Sequence, residues 1–196
     1  GKCYNACFFV LIYLINKSLD RHINTKVNYF KACTFEHHSN QVFTNVMKIS
    51  GNRSNGSGAG VILDGNGSFI MTGGKITGNK VGEGYGAGVY VGGGTFDMYG
   101  GSISGNNQLG WNYNGDGGGV YISSGSFNLH DGTITGNNGY WGGGVNLYSG
   151  AFNMEGGKIS NNTAGRNGTG GGVYVYNGTF TMTGGEISGN RSNGSG

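Results

Sequence analysis

From residue 47 onward, apolar and polar residues alternate in short runs separated by glycine. The runs recur in one order, and the unit reads G-G-V-Y-V-x-x-G-T-F-x-M-x-G-G-x-I-S-G-N. Its first Val is Val61, Val89, Val120, Val145 and Val173. Its Phe is Phe69, Phe96, Phe127, Phe152 and Phe180, followed two residues on by Met71, Met98, Leu129, Met154 and Met182. Then come Ile76, Ile103, Ile134, Ile159 and Ile187, and after them Asn79, Asn106, Asn137, Asn162 and Asn190. Ile49 and Asn52 open the series with a partial unit. Successive Ile residues are 27, 27, 31, 25 and 28 apart, and the main variation falls between each Asn and the next Val.

Alternation with a period of two places one side chain inward and the next outward, the signature of a strand. Glycine after each run permits the sharp bends that separate strands. Three alternating stretches and three bends describe one triangular coil. A single coil cannot bury its own apolar face, so coils must stack, Phe on Phe, Met on Met and Ile on Ile. The pattern therefore predicts an all-β chain: a parallel β-helix of about five to six coils of three short strands, with an N-terminal cap or extension. Right-handedness is the expectation from crossover chirality. Residues 1–46 form the extension and 47–196 the repeat domain.

Composition narrows the alternatives. Glycine supplies 46 of 196 residues and proline none, which excludes collagen. Regular apolar positions exclude a flexible linker, and so many glycines exclude a helical solenoid. Residues 1–46 hold all three Cys, and five Lys/Arg against two Asp/Glu. The repeat holds seven of each charge, so it carries no electrostatic footprint for nucleic acid.

The G-K-I-T-G-N motif at Gly74–Asn79 and its copies, together with G-T-F-x-M, resembles the right-handed β-helix repeats of bacterial and archaeal surface proteins. That group includes adhesin-like proteins and polymorphic outer-membrane or autotransporter passengers of pectate-lyase-like fold. The resemblance covers residues 47–196 and lacks the F-x-x-N element of the chlamydial type. It implies an architecture, and a cell-surface or extracellular setting, more than an activity.

Candidate chemistry is sparse. Asn79, Asn106, Asn137, Asn162 and Asn190 suit left-handed turns and a stacked amide ladder, a structural role. Tyr90, Tyr121 and Tyr174 should point outward from the V-Y-V strand, with Asn146 breaking the row and Tyr99, Tyr148 and Tyr176 nearby. The variable loops add Tyr85, Trp111, Tyr113, Tyr140 and Trp141. Exposed aromatics on a rigid scaffold suit stacking on sugar rings or protein surfaces; the competing reading is that they fold back over a loop or coil edge.

Ser50, Thr77, Ser104, Thr135, Ser160 and Ser188 form an outward hydroxyl row, a reminder of ice binding. Its companion row, Lys75, Ser102, Thr133, Lys158 and Glu186, is broken by charge. The repeat's acids, Asp64, Glu83, Asp97, Asp116, Asp131, Glu155 and Glu186, are scattered. Asp131 and Glu155 read as equivalent positions on neighbouring coils, and Lys158 as a neutralising neighbour. His130 reads as solitary, and His37-His38 lack partners at metal-ligand spacing, so no metal or cofactor is expected.

The apolar run 8–15 between Lys2 and Lys17 is too short for a comfortable membrane span. It suits a signal core, a cap over the open end of the β-helix, or an intersubunit contact. Cys3, Cys7 and Cys33 permit one disulfide of unread pairing. Ile187–Gly196 repeats Ile49–Gly58 residue for residue, so continuation or head-to-tail docking on a second copy is expected. The functional expectation is a non-enzymatic extracellular structural or adhesive β-helix. Its partners would be itself, glycans or cell-surface proteins. A carbohydrate-active enzyme and an ice binder are the alternatives.

Overall fold

The computed structural model describes residues 33–35, 40–43, 47–109, 115–165 and 167–194. The apolar run 8–15, Cys3, Cys7, His37-His38, Trp111 and Tyr113 lie outside the described residues.

The chain is a parallel β-solenoid, and no helix occurs among the described residues. Four parallel sheets run along it, each six strands deep. Sheet A stacks Cys33–Phe35, Val61–Leu63, Val89–Val91, Val120–Ile122, Val145–Leu147 and Val173–Val175. Sheet B stacks Asn40–Phe43, Ser68–Met71, Thr95–Met98, Ser126–Leu129, Ala151–Met154 and Thr179–Met182. Sheet C stacks Lys48–Ser50, Lys75–Thr77, Ser102–Ser104, Thr133–Thr135, Lys158–Ser160 and Glu186–Ser188. Two strands that precede residue 47 thus already pair with the repeat, at Cys33↔Val61 and Asn40↔Ser68.

Sheet D corrects the expectation of three strands per coil. It stacks the two-residue strands Arg53–Ser54, Lys80–Val81, Asn107–Gln108, Asn138–Gly139, Thr163–Ala164 and Arg191–Ser192. Two residues are too few to display an alternation, and no one residue type fills either position in all six pairs, so the pattern hid them. Sheet D borders a small apolar cluster of Ala59, Val81 and Ala87.

Register follows the repeat. Phe96 pairs with Phe69 and Phe127, and Ile103 with Ile76 and Ile134. Phe69, Phe96 and Phe127 stack at centroid distances of 4.6 and 5.0 Å, and Phe152 stacks on Phe180 at 4.8 Å. Val, Phe, Met or Leu, and Ile of the inner coils form one core. In the last described coil the same positions are open: Val175, Met182 and Ile187 are 42%, 44% and 37% exposed.

The asparagine ladder lies inside this core. Asn79 donates its backbone N–H and its Nδ2 to Asn106 Oδ1, both at 3.0 Å. Asn106 repeats this onto Asn137, and sends its second Nδ2 hydrogen to Ile76 O at 3.0 Å. Every amide hydrogen and acceptor is engaged, which is what a fully buried amide requires. The left-handed residue of the turn is the one before the ladder Asn, a refinement of the expected role. Gly78, Gly105, Gly136 and Gly189 have φ of 60 to 65°, and where the chain carries Asn161 instead its φ is 55°. The Gly before each Val is required by space. A Cβ at Gly88 would lie 2.9 Å from Asn106 Nδ2 and 2.5 Å from Gly119 O.

Candidate functional site

The outer face of sheet A carries the aromatic residues anticipated from the V-Y-V strands. Tyr90 and Tyr121 are register partners and stack at 5.7 Å with planes 7° apart. Tyr85, from the loop ahead of Val89, folds over Tyr121 with centroids 4.6 Å apart. Tyr148, just past Val145–Leu147, meets Tyr121 at 6.2 Å and Tyr176 at 5.2 Å. In the next loop Tyr140 packs edge-on against Trp141, and Trp141 stacks on Tyr174 at 5.9 Å.

Stacked rings cover one another's faces, and the outcome divides the row. Tyr121 is only 5% exposed, whereas Tyr85, Tyr148 and Tyr176 are 37%, 47% and 64% exposed. Tyr121 pays for its position in acidity: burial first, then Asp116 and the neighbouring phenols, hold its hydroxyl above the usual range. Asn146 occupies the Tyr column between Tyr121 and Tyr174. It is buried, donates to Trp141 O at 3.3 Å, and its Oδ1 has no hydrogen-bond partner among the described residues.

Asp116 lies beneath the same face and did not stand out from the other scattered acids. It is 5% exposed, and its Oδ1 has no hydrogen-bond partner among the described residues. Burial pushes its carboxyl up from 3.8 to about 7, opposed by a hydrogen bond from the Trp141 backbone amide. No ion pair among the described residues involves it. The Asp116 carbonyl accepts from Gly86 N, and Gly117 N donates to Trp141 O, both near the aromatic loops.

A second cluster sits on the outer face of sheet B and corrects two expectations. His130 is not solitary, and the residue equivalent to Glu155 is His130 rather than Asp131. Each follows its strand by one residue: His130 N donates to Met98 O, and Glu155 N to Leu129 O. His130 Nδ1 lies 2.8 Å from Glu155 Oε2, and Nε2 lies 3.5 Å from Asp97 Oδ1. The latter is an ion-pair distance that makes no hydrogen bond. The imidazole lies flat on Tyr99, centroids 4.2 Å apart and planes 5° apart. Asn128 donates to Asp97 at 2.7 Å and Asn153 to Asn128 at 2.8 Å, fixing the carboxylate from its own column.

No protein family, curated protein or solved structure matches this chain. Function therefore has to be argued from these two faces and the hydroxyl row. That row is present in register on sheet C, with Ser104 Oγ 3.3 Å from Thr77 Oγ1 and Ser160 Oγ 3.4 Å from Thr135 Oγ1. Beside it Lys158 and Glu186 form an ion pair at 3.0 Å. Among the described residues, no group of three or more His, Cys, Asp or Glu side chains is placed to hold a metal.

Proposed function

We propose that the chain is a non-enzymatic, extracellular β-helix of the right-handed, adhesin-like type that binds saccharide along the outer face of sheet A. One observation carries this reading: the row of stacked aromatic rings ends in the exposed Tyr148 and Tyr176 on one side and Tyr85 on the other. A phenol ring offers an apolar face to the C–H face of a sugar and a hydroxyl edge to its oxygens. Rings already held by their neighbours lose little freedom on binding. Tyr140 and Trp141 join this proposal through the stack of Trp141 on Tyr174, and Trp111 and Tyr113 through their position in the sequence between Asn106 and Val120. The absence of Cys from residue 47 onward is compatible with export.

The test is retention on insoluble chitin and cellulose. Wild-type protein should be retained on at least one, and Tyr148→Ala with Tyr176→Ala should release it while leaving the far-ultraviolet circular dichroism unchanged. Equal retention of the folded double variant would overturn the reading.

A carbohydrate-active enzyme is the second reading, and His130 between Asp97 and Glu155 favours it. A histidine flanked by carboxylates has the composition of an acid/base group. Release of reducing ends or unsaturated uronates from polysaccharide, abolished by His130→Ala, would establish it in place of the first.

A further inference from the structure

We propose that ionisation of Asp116 loosens the Trp141 loop and thereby makes ligand binding at the aromatic face depend on pH. This regulation rests on the saccharide-binding reading for its ligand, but the loop movement stands without it.

The geometry places Asp116 at a junction of three loops. Its carbonyl accepts from Gly86 N at 2.9 Å, next to Tyr85, and its neighbour Gly117 donates to Trp141 O at 2.8 Å. The Trp141 backbone amide acts on its carboxyl in favour of the anion, while burial acts against it and Oδ1 has no hydrogen-bond partner among the described residues. The adjoining glycines continue the contact, Gly118 N to Gly142 O and Gly119 N to Gly143 O. A Cβ at Gly117 would fall 2.8 Å from Tyr121 Cβ, so the loop lies directly against that residue. Asn146, 1% exposed, donates to the same Trp141 carbonyl and leaves its Oδ1 unpartnered as well.

A neutral carboxyl tolerates such a site far better than an anion, which needs water or a cation. The titratable groups around it are phenols: Tyr121 interacts with Asp116, and Tyr85, Tyr90 and Tyr148 surround Tyr121. None is a cation, and among the described residues no ion pair involves Asp116. Burial raises the Asp116 carboxyl to about 7, which puts the transition in a range that a change of compartment or surroundings spans. Once ionised, the carboxylate is hydrated most directly by parting the Asp116 and Trp141 loops. Trp141 is then drawn from its stack on Tyr174, and the aromatic face is remodelled.

Trp141 reports the movement once Trp111→Phe makes it the remaining tryptophan. Its emission should shift to the red in a single step centred near pH 7, and Asp116→Asn should abolish the step. A flat titration, or a step that survives Asp116→Asn, would overturn the proposal. Should Asp116→Asn fail to fold, carboxyl-carbon NMR of aspartate-labelled wild type decides. One aspartate must titrate near 7, and titration of every aspartate in the ordinary acidic range sinks the idea. Retention on chitin and cellulose beads should fall from about pH 5.5 to about pH 8.5 in wild type and stay level in Asp116→Asn. Retention that ignores pH while the emission titrates would overturn the link to binding. An emission step without retention at any pH would instead remove the saccharide reading and leave the loop movement standing.

Discussion

Asn137 and Asn146 lie nine residues apart in the chain and are both 1% exposed, yet their surroundings differ completely. Asn137 Oδ1 accepts two hydrogen bonds from Asn106, and its Nδ2 serves Asn162 Oδ1 and Ile103 O. Asn146 makes one contact, to Trp141 O, and its Oδ1 is left over. The ladder position has its own kind above and below, so a single solution propagates through the coils. Asn146 has Tyr121 and Tyr174 as neighbours, and rings do not accept or donate as amides do. Repetition guarantees polar satisfaction inside the coil. Outside the ladder, buried polar atoms go unmatched among the described residues: Asp116 Oδ1 and Asn146 Oδ1 beside Trp141, Asn107 Oδ1 in sheet D and His130 Nε2 on the outer face of sheet B.

The largest effect should come from breaking the ladder. Asn106→Ala strands the Asn79 backbone N–H and one Asn79 Nδ2 hydrogen, and removes the donor to Ile76 O. At about 1–3 kcal/mol for each orphaned donor, stability to denaturant should fall sharply. Asn146→Ala removes one long hydrogen bond together with an orphan acceptor, and should cost about 1 kcal/mol or less. Equal losses for the two variants would refute the contrast.

Phe127→Ala comes next. Its ring stacks on Phe96 at 5.0 Å and is fully buried, so truncation should cost about 3–5 kcal/mol by chemical unfolding. The same change at Phe180, in the last described coil, should cost visibly less, because its ring is only partly buried.

The loop side should show its own signature in pH. Asp116 is raised from 3.8 to about 7 in the folded chain, so the unfolded chain ionises first. The stabilising contribution of the neutral carboxyl is complete below about 4, is lost progressively as pH rises to about 7, and is level above that. The loss has a ceiling on the order of 4 kcal/mol, taking about 1.4 kcal/mol for each tenfold change. Asp116→Asn should flatten the profile, whereas ladder variants should lower it without changing its shape.

Much of the interior was legible because identical residues at fixed spacing leave one way to stack. Phe69 to Phe180 and Asn79 to Asn190 sit where the repeat put them. Sheet D was not legible, since Lys80–Val81 or Asn107–Gln108 carries no alternation. Counting three residues past each Phe pairs His130 with Glu155, so that register was available in the spacing. The outer face was harder for a physical reason. Whether Tyr85 reaches solvent or lies on Tyr121 depends on the path of a loop, which no neighbouring coil dictates. Asp116 was one acid among seven until its burial set it apart.

The smallest effect isolates the backbone. Five turns of the form I-S/T-G-N have glycine at the left-handed position, and one coil substitutes Asn161 with φ 55°. A non-glycine residue in that region costs roughly 1–2 kcal/mol, less for Asn because its short side chain tolerates it. Asn161 N donates to Ser188 O at 3.4 Å, a bond that glycine would keep. Asn161→Gly should therefore stabilise the chain by up to about 1 kcal/mol, offset in part by the freedom that glycine gains when unfolded. Asn161→Ala, lacking the local hydrogen-bonding that eases Asn into this conformation, should destabilise it by about 1 kcal/mol. If alanine is tolerated as well as glycine in denaturant melts, the turn relaxes out of the left-handed region. The inner coils would then be less rigid than their shared register implies, and the contrast with the loop side would shrink accordingly.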